Sequence, residues 1–384
     1  MLDQTRIASV SPVASRADRR AFLRLPYDLY RGQPAWRPPL RIERAAQISP
    51  RMNAQMSDVD AALFLAHRGR EVVGRIASFT HTRHHETHDP KQGHFGFLDS
   101  VDDAGVVRDL LSAMEADQRH RGMSRVVGPA QWSVNEEVGL LIDGFEHSNV
   151  ILTPYGRPYY QHHVEACGYT KDVDLLCYQA DLAAGRPRPR SVQRLIEAAR
   201  RSPRIRVRNL DKTNFQSEVA TALEIYEDAW SENWNALPYT PAQAEALAKE
   251  LRPLMADGSF MFAEVDGVPV AFGVVLPDLN EAIRHLDGRL RPIGITRAIR
   301  DIAKGRVKQG RLPLMGMRRE MQKTRVGVTA MTLMCEELFT AAEARGFTHL
   351  ELGWILEGNS AVIQVIEQVK AEPYKRYRMY GKSL

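Results

Sequence analysis

The segment 322–346, QKTRVGVTAMTLMCEELFTAAEARG, constrains this chain more than any other, because a glycine-bearing turn there opens a long helical pattern directly after the strand-like run LPLMGM. Amide N–H groups at a helix start lack intrahelical acceptors and gather partial positive charge, so such a turn can hold a pyrophosphate. The helical pattern gives way at Gly346. Next come the strand-like THLELGWIL, the turn Glu357-Gly358-Asn359 and a second helix, SAVIQVIEQV. The C-terminal half is therefore expected to bind a pyrophosphate-bearing coenzyme.

Composition narrows the class. With 384 residues, of which 26% are charged, the chain is long enough for two domains with proper cores, and disorder is not expected. Its three cysteines, Cys167, Cys177 and Cys335, have no paired spacing for zinc or for a disulfide framework, which suits a reducing cytoplasm. The stretch MLDQTRIASVSPVASRADRR has no apolar h-region, and no run of eighteen apolar residues occurs, so a cytoplasmic location is expected. The net charge of +5 is unevenly placed: from Arg284 to Arg325 there are thirteen Lys or Arg against three acids. Ile295, Ile299 and Ile302 are spaced to line one helical face within that stretch. The pattern is that of a basic amphipathic helix, and peripheral contact with an anionic membrane through 284–325 is expected, at its inner face. Nucleic acid is not an expected partner, since no zinc, helix-turn-helix or aromatic-basic sheet signature accompanies the charge.

The order of elements repeats. In the first half ALFLAHRGREVVGRIASFTH reads as a hairpin, HFGFLDSV as a strand and VVRDLLSAMEADQRHRG as a helix. Strand SRVVGPA, helix PYYQHHVEACG and strand KDVDLLCYQA follow. The second half offers strand IRVRNL, helices around VATALEIYEDAW and PAQAEALAKEL, and the hairpin SFMFAEVDGVPVAFGVVL, with Thr240-Pro241 as a helix start and Asp266-Gly267 as a hairpin turn. The expected division is residues 1–182, a Pro- and Arg-rich linker with its following helix at 183–202, and residues 203–384. The first half has Asp102 and Asp103, not a glycine turn, where its long helix begins, and these acids would repel a pyrophosphate.

The turn at 322–329 resembles the coenzyme A signature of the GNAT superfamily of acyltransferases. Gln322 and Gly327 fit its spacing, and Arg325 stands where its first glycine is usual. The blocks LYRGQPAWRPPL, FLAHRGREVVGRIASF, HFGFLDSVDD, GPAQWSVNEEVGLLIDGF, PYYQHHVEACGYTK and YKRYRMYGKSL are similar to a bacterial family of tandem-GNAT proteins, one branch of which is bacterial ceramide synthase. The resemblance implies an α/β fold of the α+β type: two tandem GNAT-like domains with mixed central sheets flanked by helices. It implies acyl-CoA as a co-substrate with no permanently bound cofactor, and an amine or lipid acceptor. The coenzyme would lie against Gln322, Lys323, Arg325, Val326, Gly327, Val328, Thr329 and Asn359. The first half would shape the acceptor pocket.

Acyl transfer to an amine needs a group to deprotonate the incoming ammonium. Glu136 and Glu137, in the polar loop WSVNEE, are the first candidates, because paired carboxylates in a partly buried cleft repel each other and raise one pKa. Glu351 is a second, beside the expected thioester with Glu357 and with Gly353 for close backbone approach, and His94 a third. HTRHHETHDP reads as a polar loop and no metal is expected there, since the four histidines lack a helix-supported ligand spacing. Where GNAT enzymes often carry an acidic tyrosine stands Ile366, which leaves Tyr374, Tyr377 or Tyr380. Trp230, Trp234, Tyr239, Met255 and Phe260 mark an acceptor region. Two other readings stay open: a non-catalytic acyl-CoA sensor or scaffold, and an aminoacyltransferase of the peptidoglycan-bridge type.

Overall fold

The computed structural model describes residues 9–185, 188–368 and 370–384. Contacts divide the chain into two units, one holding the chain up to Leu175 with Ile283–Arg291 and Lys375–Leu384, the other Leu176–Ala282 and Pro292–Tyr374.

The first unit begins with β1 (Ser9–Pro12) and α1 (Arg16–Leu29), whose start is fixed by a capping box between Ser15 and Asp18. After α2 (Arg41–Gln47) come the hairpin β2 (Val59–Arg68) and β3 (Glu71–His81), the short α3 (Thr82–Thr87), β4 (Gln92–Ser100), α4 (Ala104–His120), β5 (Arg125–Gly128), β6 (Leu140–Asp143) and α5 (Tyr159–Ala166). Val106, Val107, Leu110, Leu111 and Met114 recur at helical spacing on α4 and bury against Ala66, Ile76 and Phe95 of the sheet, each worth about 1.5–3 kcal/mol in transfer free energy. The opposite face carries Phe22 of α1, with Phe79, Phe97 and Trp132 ring to ring. β4 and β5 run parallel, and their ladder covers residues 92–94 against 125–127.

β7 (Thr170–Asp181) leads into the second unit, which adds α6 (Arg190–Arg201), β8 (Ile205–Asn209), α7 (Phe215–Trp230), α8 (Pro241–Leu251), β9 (Phe260–Val265) and β10 (Val268–Pro277). It continues with α9 (Leu279–Ile283), α10 (Pro292–Ala303), β11 (Gln309–Met317), α11 (Arg319–Gln322), α12 (Arg325–Ala344), β12 (His349–Leu356) and α13 (Ser360–Gln368). The strand order is β7-β12-β11-β10-β9-β8. The expected hairpin turn forms, with positive φ at both Asp266 and Gly267, and Thr240 and Gln243 close the expected cap of α8. Phe215, Val219, Ala222 and Tyr226 of α7 pack on Phe262, Phe272 and Val274, while α12 covers β9 and β10 and packs against α6 through Leu333, Ile196 and Ala199. β11 and β12 are parallel and pair over residues 309–312 and 349–352. Beyond that register the two strands part.

The last strand, β13 (Glu372–Ser383), returns to the first unit from Lys375 onward, pairing antiparallel with β5 and β6. The structural division thus falls inside β7, at Leu175, and the tail leaves the second unit, whereas the sequence placed borders at 182 and 203. Strand pairing decides the border and composition does not. Arg186 and Pro187 of the expected linker, Val369 after the last helix and residues 1–8 lie outside the described residues.

Two local expectations change. HTRHHETHDP contains α3, with His81 at its N-cap, and is not simply a loop. On α10 the side turned inward carries Gly294 and Ala298, so that Ile293 and Ile299 are 86% and 62% exposed. Among the described residues no helix is long and apolar enough to cross a membrane.

The buried histidines set a pH dependence. Desolvation lowers His81 to about 4, helped by Arg83, and holds His94 well below the ordinary imidazole range. Their folded pKa values lie below the unfolded value, so the unfolded state binds more protons at intermediate pH. The stabilisation is complete above about pH 6.5 and is lost as pH falls towards 4. Denaturant titrations should show a loss on the order of 1–3 kcal/mol between pH 7 and 4.5, and His81→Asn, which keeps a capping side chain, should flatten that slope. An unchanged slope would place the pH sensitivity elsewhere.

Candidate functional site

The turn before α12 is built by Thr324. Its hydroxyl accepts from the Gly327 amide at 3.0 Å and donates to the Met321 carbonyl at 2.9 Å, while the Val328 amide reaches the Thr324 carbonyl at 3.0 Å. Two of the amides assigned to the coenzyme are therefore engaged by the cap. The amides of Arg325 and Val326 have no acceptor among the described residues. Gly327 is glycine for a steric reason, since a Cβ there would collide with the Met321 carbonyl oxygen. Lys323 and Arg325 are exposed beside the open amides, and neither pairs with an acid among the described residues. Gln322 donates to the Met317 carbonyl at 2.9 Å, the buried Thr329 hydroxyl donates back to Arg325 at 2.7 Å, and Asn359 accepts from Val362 at 3.3 Å as the cap of α13. Of the eight positions, Lys323, Arg325 and Val326 keep charge or amides available to a phosphate. The other five shape the turns.

Arg311 and Glu351 face each other where β11 and β12 make their last pairings. Their ion pair is 3.0 Å long, with side chains 2% and 0% exposed, and Arg311 also donates to the Gly353 carbonyl at 3.0 Å. Tyr374 donates to Glu351 through its hydroxyl. Glu351 is thus held by a guanidinium and a phenol, and to act as a base it would first have to leave that pair. A Cβ on Gly353 would meet Leu176 and Cys177 at 3.0–3.2 Å, so its close approach is to β7. Past the parting, Trp230 lies 5.8 Å from Trp354 in an edge contact and donates to Met315, while Met255 and Phe260 belong to the buried core.

In the first unit, α2 and the loop 131–137 converge. Arg44 and Gln47, one turn apart on α2, both point at Gln131; Arg44 forms an ion pair with Glu137, and Gln131 donates to the same carboxylate at 2.9 Å. Glu136 receives the amide groups of Gln47 at 2.9 Å and Asn53 at 3.0 Å. Its carboxyl retains some exposed surface yet has enough protein around it that desolvation lifts its pKa to about 7, with Gln47 and Asn53 opposing and the charge of Glu137 adding a smaller rise. Both carboxylates are drawn out of water, so the two glutamates differ chiefly by the choice of partner, and for Glu136 mutual repulsion is secondary to desolvation. Arg44, Gln47, Asn53 and Gln131 escaped the sequence reading. The signal available was that a carboxylate pair in a cleft requires partners, but nothing local says where they lie.

His94 is stacked on Phe79 at 5.3 Å and lies 4.6 Å from His84, with its Nε2 buried and lacking a hydrogen-bond partner. Among the described residues no group of three or more His, Cys, Asp or Glu is arranged to hold a metal. Asp103 caps α4, accepting from Gly105 at 2.8 Å and Val106 at 3.2 Å and pairing with Arg68, so the amides that would cradle a phosphate in this unit are occupied. A cavity of about 90 Å3 lies beside β4, with Phe97, Asp99, Ala130 and Glu137 in its wall.

The comparisons agree with this architecture. No protein-family model matches the sequence. Among solved structures the chain is similar to a tandem GNAT protein from the clavulanic acid biosynthesis pathway, with a TM-score of 0.56, 13% identity and 98% of each chain covered. It is also similar to a GCN5-related N-acetyltransferase from Sphaerobacter thermophilus, with a TM-score of 0.51, 13% identity, and 100% and 97% coverage. The fold is thereby that of a tandem GNAT protein. Over 379 residues the chain is 36% identical to bacterial ceramide synthase of Caulobacter vibrioides (strain NA1000 / CB15N), covering 98% of this chain and 97% of the relative. It is 34% identical over 373 residues to Protein YghO of Escherichia coli (strain K12), covering 96% and 94%. The chain belongs to the family of these two proteins.

Removing Arg44 tests the loop site. Arg44→Met leaves Glu137 buried without its cation and should cost about 3–5 kcal/mol in urea unfolding, with Arg44→Met/Glu137→Leu recovering much of the loss. A cost below about 1 kcal/mol would mean that water, and not protein, solvates Glu137.

Proposed function

We propose that this acyltransferase moves a long-chain acyl group from acyl-CoA to the amine of a sphingoid base or a related long-chain amino alcohol. The observation that carries the reading is the pair of open amides at Arg325 and Val326, beside two exposed cations and set in the chain between the parallel strands β11 and β12, which part after pairing over four residues. These features suit a pyrophosphate at the turn and an extended thioester arm along the free edge of β11. The name of the Caulobacter relative supplies the acceptor class.

The chemistry follows from the groups available. The acceptor arrives as an ammonium and loses a proton to Glu136, whose pKa of about 7 lets it exchange protons near neutrality. The amine lone pair then attacks the thioester carbon; a C–N bond forms, the C–S bond breaks, and the departing thiolate takes up a proton. Of the three tail tyrosines, Tyr377 and Tyr380 bond to Pro154 and Glu165 in the first unit. Tyr374 lies in the second unit against Glu351, and we assign it the protonation of the thiolate. The exposed Ile293 and Ile299, with Arg297 and Arg300 on the same helix and Lys304 directly after it, suit peripheral contact with an anionic bilayer that carries the acceptor.

The direct test incubates the protein with palmitoyl-CoA or acetyl-CoA and a panel of amines including sphingoid bases, following thiol release. Turnover with palmitoyl-CoA and a sphingoid base is expected, and absence of release with every pair would overturn the reading. The rate should climb with pH through about 7 and then level, because Glu136 acts deprotonated. Glu136→Gln should lower kcat by about 10²–10⁴ and abolish that limb; a retained limb would remove Glu136 from the mechanism. Gly327 is a poor probe of coenzyme binding, since any side chain there rebuilds the turn. Arg325→Glu is on the surface and should raise KM for palmitoyl-CoA about tenfold with an unchanged melting temperature.

A further inference from the structure

The cavity of the first unit has a wall rich in groups that can still accept hydrogen bonds. Most of its donors already have acceptors inside the protein. The hydroxyl of Tyr27 donates to the Pro39 carbonyl at 2.8 Å, that of Tyr30 to Asp99 at 2.5 Å and that of Tyr160 to the Ser100 carbonyl at 3.0 Å. Arg75 donates to Asp99 at 2.8 Å and to the Phe22 carbonyl at 2.8 Å, and Arg44 donates to Gln47, Gln131 and Glu137. What remains is chiefly acceptor capacity. A carboxylate has about four lone-pair positions, and each oxygen of Glu137 receives one donor, from Arg44 or from Gln131, while Oδ1 of Asp99 receives one, from Tyr30. A ligand entering this space therefore meets carboxylate oxygens that can still accept, with the Trp36 indole and the Arg44 Nε as the donors that have no acceptor among the described residues.

That pattern selects chemistry. An anion would have to compete with Glu137 and Asp99 for Arg44 and Arg75, whereas an ammonium with neighbouring hydroxyls brings up to five donors to the open lone pairs and hydroxyl oxygens that can accept. About 90 Å3 is enough for a small polar head and too little for a long alkyl chain. Tyr27, Tyr30 and Trp36 add apolar wall, but Arg41 and Arg157 already lie over the rings of Tyr27 and Tyr30, so recognition rests on the carboxylates and not on an aromatic cage.

We propose that this cavity is the subsite for the polar head of the acceptor, an alkyl 2-amino-1,3-diol or similar amino alcohol, whose ammonium and hydroxyl groups donate to Glu137 and Asp99 while its chain stays outside. The assignment rests on the acyltransferase reading for the role of the ligand but not for its binding.

Calorimetric titration of the full chain without acyl-CoA tests it, using 2-amino-1,3-dodecanediol, its N-acetyl derivative and dodecanoate. The amine should bind, the N-acetyl derivative about tenfold more weakly, and dodecanoate not measurably. Gly156 lines the cavity, and an added Cβ there makes only ordinary contacts, the nearest at 3.7 Å to Leu141 and Tyr160. Gly156→Val should therefore fold, occupy the space and weaken the amine about tenfold with palmitoyl-CoA affinity unchanged. Leu23→Phe fills the same cavity from α1 and serves if the valine variant melts early. Amine affinity unaffected by both fillings, no amine binding, or dodecanoate binding as tightly as the amine would each overturn the subsite. Amine binding sensitive to the fillings without any thiol release would leave the subsite standing and defeat the acyltransferase mechanism alone.

Discussion

Two parallel strands that bond to each other for four residues and then stop leave a row of peptide groups that must find partners elsewhere. This is the condition on which the proposed chemistry of the second unit depends. Up to Leu312 and Leu352 the strands β11 and β12 satisfy one another. Beyond that, side chains donate to β11 at two carbonyls among the described residues, the Trp230 indole to Met315 and Gln322 to Met317. Backbone groups removed from water need hydrogen bonds, and an extended ligand with amides of its own can supply them. The Arg311–Glu351 pair lies where the ladder ends. Dehydrated charges so placed favour a partner at a fixed distance, so the strands are held together up to this point and free beyond it.

The two adjacent glutamates of the first unit illustrate how environment divides identical side chains. Glu137 meets a guanidinium, which compensates its charge fully. Glu136 meets the neutral amides of Gln47 and Asn53, which orient it without replacing the hydration a carboxylate loses on burial. The result is one carboxyl near its proton-exchange point and one held in an ion pair, both set by residues of α2 and the loop after it. The stack of His94 on Phe79 follows the opposite logic: an imidazole among other imidazoles and aromatic rings stays neutral because a charge there would have no partner.

Much of the scaffold was legible because its causes are local. The β2–β3 and β9–β10 hairpins, α4, α8 and α12 follow from alternation, helical spacing, Asp266-Gly267 and the Thr240 cap, all of which act within a dozen residues. What was not legible depends on distance along the chain. The adjacent acids Glu136 and Glu137 are visible in the sequence, but their partners come from α2 and the loop beyond it, more than eighty residues earlier. Helical spacing showed that α10 has an apolar stripe without showing which side is buried, and the small residues Gly294 and Ala298 turned out to be the inward ones. Gly327 fits the spacing of a coenzyme signature, and the Met321 carbonyl adds a steric reason for glycine there that no composition reveals. The polar cavity wall, assembled from α1, α2, β3, β4 and three loops, left no contiguous trace at all.

The return of residues 375–384 to the first unit has a consequence for biosynthesis. β5, at 125–128, leaves the ribosome roughly 250 residues before the strand that pairs with it. During that interval a nascent first unit carries an unpaired strand edge, the kind of surface that recruits other chains. The second unit, whose strands follow one another between 176 and 356, has no comparable gap between pairing partners. The half made first is thus the half completed last, and a trigger-factor-like holdase acting on the emerging chain would have most to shield around β5.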